Sequence, residues 1–356
     1  MNSDARLTVV MSCYNQADTI RQAIDSVLAQ KTDFRVNLLI TDDHSTADAS
    51  REIVREYAER YPDRVTALLN DENGRYLKNI LRAMELVKTE YFTLLDADDY
   101  WTDPSYLQDA VDFLSAHRDF TIYFRNVTCL QGDAERSYVP DEFPSRDFTF
   151  DDYLSNEYVM SQTTGEVFRN VVYGDGVPKR MYEVIGTIHE RAFEGDVARF
   201  IMHLAKGKAH FENRSAGVYR ILPSGIWCRL HAFEKHLLQA QGPQDFHSYL
   251  GRGLGFFVNS AYGELQAAMS ALPDFLKGGG VLDEKYLPVL SSVVTWVSAN
   301  RECIVDVPPK SRAVWLAETC GWKLNGRAKP SGLDKLRYKI WKHLNKRLVR
   351  AGVLKG

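Results

Sequence analysis

The first hundred residues confine the chain to few folds, because apolar runs of strand length alternate with segments of helical spacing. "LTVVMS" (7–12), "VNLLIT" (36–41), "VTALLN" (65–70) and "YFTLLD" (91–96) are apolar along most of their length instead of alternating, as strands buried on both faces are. Between them Ile20, Ala23, Ile24, Val27 and Leu28, then Ile53, Val54, Tyr57 and Tyr61, then Leu77, Ile80, Leu81 and Met84 recur at three- and four-residue steps. Strand, helix, strand, helix implies crossover units and an α/β fold with a mostly parallel sheet flanked by helices. In such sheets ligands bind at the carboxyl ends of the strands. The polar clusters "SCYNQ", "TDDHS", "NDENGRYLKN" and "DADD" all fall there, so four loop tips line one pocket.

The last tip raises a chemical question, since "EYFTLLDADDYW" ends a buried run in Asp96, Asp98 and Asp99. One Asp at a strand end is ordinary turn chemistry. Asp96 and Asp98 lie two apart, so in extended geometry both leave the same face and repel unless a cation joins them. A hard divalent ion on one or two carboxylates, completed by water and substrate phosphate, resolves that repulsion. The motif alone leaves turn and metal site open; the concurrence of four polar tips favours the metal. No G-x-G-x-x-G follows the first strand, no G-x-x-x-x-G-K-[ST] occurs, and "GRGLG" (251–255) follows no strand and reads as a turn or helix-packing segment. A phosphate without a backbone cradle needs a cation, so a diphosphate fits this edge better than a dinucleotide.

The order of motifs resembles glycosyltransferase family 2, enzymes of the GT-A fold, a Rossmann-like α/β architecture. The matching pieces are "VVMSCYNQADTIRQAIDSVLAQ", "LLITDDHSTADAS", "NGRYLKNILRAMELVKTEYFTLLDADDYW", "FEGDVARFIMHL" and "VYRILPSGIW", over roughly residues 6 to 230. The resemblance implies an inverting, metal-dependent transfer of a sugar from a nucleotide diphosphate sugar, a UDP-sugar, to a glycan or lipid-linked glycan acceptor in cell-surface polysaccharide synthesis. It implies that Ser12, Tyr14 and Asn15 frame the base and that Asp43 accepts a hydrogen bond from the uracil ring. Arg75 and Lys78 would reach phosphate or sugar, with a solvated helix face as the alternative, and Asn79 sits where family members also carry Asn. Asp96 and Asp98 match the metal and ribose motif, Asp98 as the direct ligand of Mn²⁺ or Mg²⁺.

Transfer also needs a base outside the metal pair, because an incoming hydroxyl has a pKa far above neutrality. The family match points to Asp196, with Glu194 as the alternative; Asp196 also opens the helical run Val197, Phe200, Ile201, Leu204, where Asp is a common cap. One departure stands out: relatives often carry a His where this chain has Leu222, and His231 is the available substitute. "VMSQTTGEVFRN" (159–170) reads as a strand flooring the acceptor side, with Thr163 and Thr164 able to bond sugar hydroxyls. "IHERAF" has Phe193 in place of the second His of a zinc-protease motif, so it implies no zinc site.

These readings divide the chain into a catalytic domain over 1–240 (a nucleotide-sugar half, 1–125, and an acceptor half, 126–240), a helical region over 241–325 and a basic tail over 326–356. In the helical region residues 245–273 and 283–300 have helical periodicity, joined through "KGGG" (277–280). From Lys323 onward eleven Lys and Arg face one acid, Asp334, whereas the preceding part holds 33 basic and 46 acidic residues. Leu333, Leu336, Ile340, Leu344 and Leu348 make 333–350 a basic amphipathic helix, suited to an anionic membrane surface or to packing on the acidic body. Nucleic acid is not an expected partner, because the pocket edge is acidic. The N-terminus has no signal-like pattern and no run of 18 apolar residues occurs, so the expected location is the cytoplasm, at the inner face of the membrane if the tail binds it. Five scattered cysteines, none in C-x-x-C spacing, indicate neither zinc nor a disulfide framework. Two rivals remain: a nucleotidyltransferase, disfavoured because "SCYNQAD" has no glycine for a triphosphate, and a catalytically silent nucleotide-sugar or glycan-binding module.

Overall fold

The computed structural model describes residues 4–160, 162–223, 225 and 227–305. The basic tail over 326–356 and the end of the helical region lie outside the described residues. The chain divides into two compact units, one of residues up to 150 with 159–229, the other of 151–158 with 230 onward. The boundary expected at 240 falls inside a helix, and the return of 151–158 to the second unit has no signature in the sequence.

The first unit is built on one sheet of ten strands. Its opening part follows the expected alternation: β1 (Ala5–Cys13), α1 (Ala17–Leu28), β2 (Arg35–Asp42), α2 (Ser50–Arg60), β3 (Val65–Leu69), α3 (Arg75–Met84) and β4 (Tyr91–Asp96). These strands pair in parallel in the order β3-β2-β1-β4. Leu7, Val9, Val10 and Met11 of β1 are all fully buried, as a strand covered on both faces requires. Ile20, Ala23, Ile24 and Val27 of α1 and Ile53, Val54 and Tyr57 of α2 turn inward onto it.

Beyond β4 the sheet becomes mixed. It continues through β5 (Tyr100–Trp101), α4 (Tyr106–Ala116), β6 (Phe120–Gln131), β7 (Ala134–Ser137), β8 (Arg146–Phe148), β9 (Glu166–Arg169) and β10 (Lys208–Arg220). Strand β9 lies antiparallel between β4 and β6, while β6 and β10 run parallel. The expected mostly parallel sheet is thus parallel through β3-β2-β1-β4 and in the β6–β10 pair, with antiparallel pairing joining them. Between β9 and β10 lie three helices, α6 (Lys179–Glu183), α7 (Glu190–Glu194) and α8 (Asp196–Leu204). The strand expected over 159–170 is short: Thr163–Gly165 form a 3-10 turn and only 166–169 pair.

The second unit is helical, with α5 (Phe150–Leu154) leading into it, then α9 (Ala232–Leu250), α10 (Leu254–Lys277) and α11 (Leu287–Ala299). The helix expected from 245 to 273 is interrupted by Gly251 and Gly253, both at positive φ (67° and 74°), a conformation glycine adopts without penalty. "GRGLG" is thus an inter-helix turn. Among the described residues no helix is long and apolar enough to cross a membrane.

The join of β10 to β5 beside the "DADD" loop leaves no room for a side chain at Gly217. A Cβ on Gly217 would sit 2.3 Å from the Tyr100 carbonyl oxygen and 2.7 Å from the Trp101 Cα, both backbone atoms. Gly217→Ala is expected to lower the unfolding free energy by about 1–3 kcal/mol, the cost of overpacking. Urea denaturation measures it; an unchanged midpoint would show that β5 is not held against β10.

Candidate active site

The carboxyl ends of β1, β2 and β4 meet through register. Ser12 pairs with Asp96 across β1 and β4, Cys13 with Asp42 across β1 and β2, and the Ser12 Oγ donates to Asp96 Oδ1 at 3.0 Å. Ser12 therefore orients a carboxylate directly. The loop after β1 is sewn to the loop after β2: Asn15 Oδ1 accepts from the amides of Thr46 and Ala47, and the Ala17 amide donates to Asp48 Oδ2 at 2.9 Å. Asn15, at φ 52°, uses its carbonyl oxygen on this backbone, so its place is that of a loop pin. Tyr14 stands half exposed at the same tip, free to cover a planar ring.

The two carboxylates of "TDDHS" have different surroundings. Asp42 is fully buried and accepts from the Arg51 guanidinium at 2.9 Å and the Ser45 amide at 3.1 Å, which makes it scaffold. Asp43 accepts from the Gly74 amide through Oδ1 at 2.8 Å, and burial raises its pKa while the Gly74 and Arg75 amides pull it back. Asn79 is 2% exposed and its amide is bonded to Thr41 and Asn70, so it braces β2 against the loop after β3. Lys78 pairs with Glu72 at 2.8 Å, and Arg75, at φ 63°, is exposed at the start of α3.

At the end of β4 the acids crowd together. Asp99, nearly inaccessible, accepts from the Thr164 hydroxyl and from the Arg220 amide at 2.9 Å, which ties the loop to β10; it is the turn carboxylate of the three. Arg220 also donates to the Asp98 carbonyl and lies over the Tyr100 ring. Asp98 is half buried and its pKa is pushed up to about 6, first by burial and then by the negative charge of Asp96. Burial raises Asp96 too, against the Arg199 guanidinium and the Ser12 hydroxyl. Two desolvated carboxylates, Asp98 raised further by the charge of Asp96, are an electrostatic deficit that a divalent cation relieves, so the pair suits a metal held with substrate phosphate. Among the described residues no three His, Cys, Asp or Glu side chains gather as a metal cluster. His231 caps α9, its Nδ1 accepting from the Phe233 amide at 3.2 Å.

Asp196 opens α8 as expected, half buried, with Oδ1 accepting from the Val197 amide at 2.8 Å. Its negative charge acts on Asp96, Tyr76 and Glu166, so it belongs to the same electrostatic site as the β4 acids. The side chain of Glu194 is outside the described residues. Thr163 and Thr164 are buried and bonded to Arg199 and Asp99, which removes them from the acceptor surface. Sequence reasoning passed over Arg199 and Glu166. The signal was present: each is a charged residue inside an apolar stretch, "VARFIM" and "GEVF".

Comparison with known proteins follows this geometry. The profile described as Glycosyl transferase family 2 matches residues 8–169. An uncharacterized protein of Mycobacterium tuberculosis is 30% identical over 240 residues, which is 66% of this chain and 64% of that one, so the chain spans less than two thirds of that relative. The putative glycosyltransferase EpsE of Bacillus subtilis is 31% identical over 122 residues, 34% of this chain and 43% of its own. Among solved structures, S. aureus TarS in complex with UDP-GlcNAc superposes with a TM-score of 0.59 at 14% identity, covering 96% of this chain and 92% of that one, a likeness of fold.

The buried Glu166 gives a pH test. Among the described residues neither of its carboxylate oxygens has a hydrogen-bond partner, and burial, then the Asp196 charge, hold its pKa well above the usual range against the pull of Arg199. Above the unfolded-state pKa of about 4.3 the folded chain keeps a proton that the unfolded chain has lost, so stability falls as pH rises. The stability of Glu166→Gln relative to the native chain is expected to grow as pH rises above about 4. A difference constant with pH, measured by urea denaturation, would contradict it.

Proposed function

Residues 8–169 being a glycosyltransferase family 2 domain, we propose that the chain transfers a sugar, with inversion, from a UDP-sugar to a hydroxyl of a glycan or lipid-linked glycan in cell-surface polysaccharide synthesis. The observation that carries this reading is the acidic edge itself: Asp43, Asp96 and Asp98 stand at the carboxyl ends of the parallel strands, and Asp196 shares the electrostatic site from a separate helix. Asp43 has one oxygen fixed by the Gly74 amide, which leaves a preset acceptor for a ring N–H, while Tyr14 covers the ring face. A carboxylate there suits a ring N–H such as that of uracil.

Asp96 and Asp98 would hold Mn²⁺ or Mg²⁺ with the diphosphate, and the ion, when bound, stabilises negative charge on the leaving group. Arg75 and Lys78 at the start of α3 add positive charge for the same diphosphate; Lys78 exchanges its exposed partner Glu72 for phosphate. Asp196 accepts the proton of the incoming hydroxyl as that oxygen bonds to the anomeric carbon, on the face opposite the departing diphosphate. The basic stretch 333–350 would bring the enzyme to an anionic membrane carrying a lipid-linked acceptor. Flotation with anionic liposomes, lost when 326–356 is deleted, is the expected result; an intact chain that stays with the soluble fraction would remove the membrane from this account.

Asp196→Asn separates an enzyme from a silent binding module. The variant is expected to bind UDP with Mn²⁺ as the native chain does while losing turnover by roughly 10²–10⁴-fold, the usual contribution of a positioned base. Equal turnover in the variant would require another base.

A further inference from the structure

Asp98 lies in a short link between two paired segments of the sheet. The register of β1 with β4 ends at Ser12 opposite Asp96, and β5 pairs with β10 through Tyr100 opposite Val218 and Trp101 opposite Gly217. The link starts firmly, because the Ala97 amide donates to the Ser12 carbonyl at 3.2 Å and the Ser12 hydroxyl holds Asp96. Asp98, at its centre, belongs to neither ladder.

The far side of the link is held by Arg220, the last residue of β10. Its amide donates to Asp99 Oδ1 at 2.9 Å, its Nη1 to the Asp98 carbonyl oxygen and its Nη2 to Gln22 Oε1 of α1. The guanidinium also lies 4.5 Å from the centroid of the Tyr100 ring. One residue thus grips Asp98, Asp99 and Tyr100 in succession and ties them to α1. The peptide between Asp98 and Asp99 is fixed at both of its polar atoms, since the Asp99 amide donates to the Asp96 carbonyl at 3.0 Å while the Asp98 carbonyl accepts from Arg220. A planar peptide held at its N–H and its C=O cannot flip, which limits the directions in which the Asp98 side chain leaves the chain. The carboxylate has its own neighbour in the Gln16 side chain, whose hydrogen bond favours the charged form. Arg220 acts one step back, on the main chain. A guanidinium suits that task, because it carries several donors in a fixed fork and a flat face that rests on a ring, whereas a lysine ammonium keeps only the charge and the donors.

From these contacts we propose that Arg220 is a positioning residue of the metal site: it clamps the main chain of Asp98 between β10 and α1, so that the carboxylate stands ready beside Asp96. The proposal rests on Asp96 and Asp98 as metal ligands and deepens that reading. A plain counter-charge to Asp98 would act in the opposite sense. A positive charge beside a cation site repels the cation, so removing it tightens the site, whereas losing the clamp loosens it.

The test titrates Mn²⁺, without nucleotide, into the full chain and into Arg220→Gln and Arg220→Lys, with bound metal read from loss of the free-ion electron paramagnetic resonance signal and folding checked by circular dichroism. Affinity is expected to fall about 10–100-fold in Arg220→Gln, the usual effect of removing a partner that orients a metal ligand. Arg220→Lys, which keeps a donor for the Asp98 carbonyl, is expected to recover part of the loss. Affinity in folded Arg220→Gln equal to that of the native chain, or tighter, overturns the proposal. Gln22→Leu, at an exposed position of α1, releases the guanidinium from the helix alone and is expected to weaken Mn²⁺ less. Should the Arg220 variants not fold, it takes their place, and native affinity there overturns the proposal. A native chain that takes no Mn²⁺ removes Asp96 and Asp98 as ligands. Crystal structures of the native chain and the folded variant then decide what Arg220 does: a displaced Asp98 carboxylate upholds the clamp, and an unmoved one overturns it.

Discussion

The in-register parallel pairing of β1 with β4 is the contact on which the site depends. It is fixed at both ends, by the Thr89 hydroxyl donating to Thr8 at 2.9 Å where the strands begin and by Ser12 donating to Asp96 where they end. A slip of one residue would turn every side chain of a strand to the opposite face, and β1 has apolar residues packed on both. The acids at the end of β4 are therefore held where they are by the burial of residues such as Val9, Met11 and Leu95, remote from any chemistry.

A stable core thus supports an unstable charge distribution. Asp42, Asp43, Asp96, Asp98, Asp99 and Asp196 come together at one edge, and the chain answers them unevenly. Asp42 has Arg51, Asp99 has a hydroxyl and a backbone amide, and Arg199 lies in the field of Asp96 and Asp196. Asp98 is left raised to about 6 by burial and by Asp96. That uncompensated negative charge is where a cation and its phosphate would add most.

The parallel half of the sheet was legible because both of its signals are local: continuous apolar runs and helical spacing, each broken by polar tips. Ser12, Asp43, Asp96, Asp98 and Asp196 fall at element ends for the same reason. That Asn15 and Asn79 brace the loops was not legible, since a polar side chain near a pocket and one bracing the loops beneath it look alike in sequence; only burial and partners separate them. Arg199, Glu166 and Tyr76 come from α8, β9 and α3, and no spacing rule joins positions so far apart. At Gly251–Gly253 the sequence left turn and helix packing open, because helical periodicity continues across two glycines that together are a helix-stop signal.

The central claim is that the acidic edge binds a uridine diphosphate through a metal. Calorimetric titration of UDP and GDP into the intact chain, with and without Mn²⁺, tests it most directly. Binding of UDP that requires Mn²⁺, exceeds that of GDP and disappears in Asp98→Ala is the predicted result. Binding that is absent, or indifferent to Mn²⁺ and to Asp98, would contradict it.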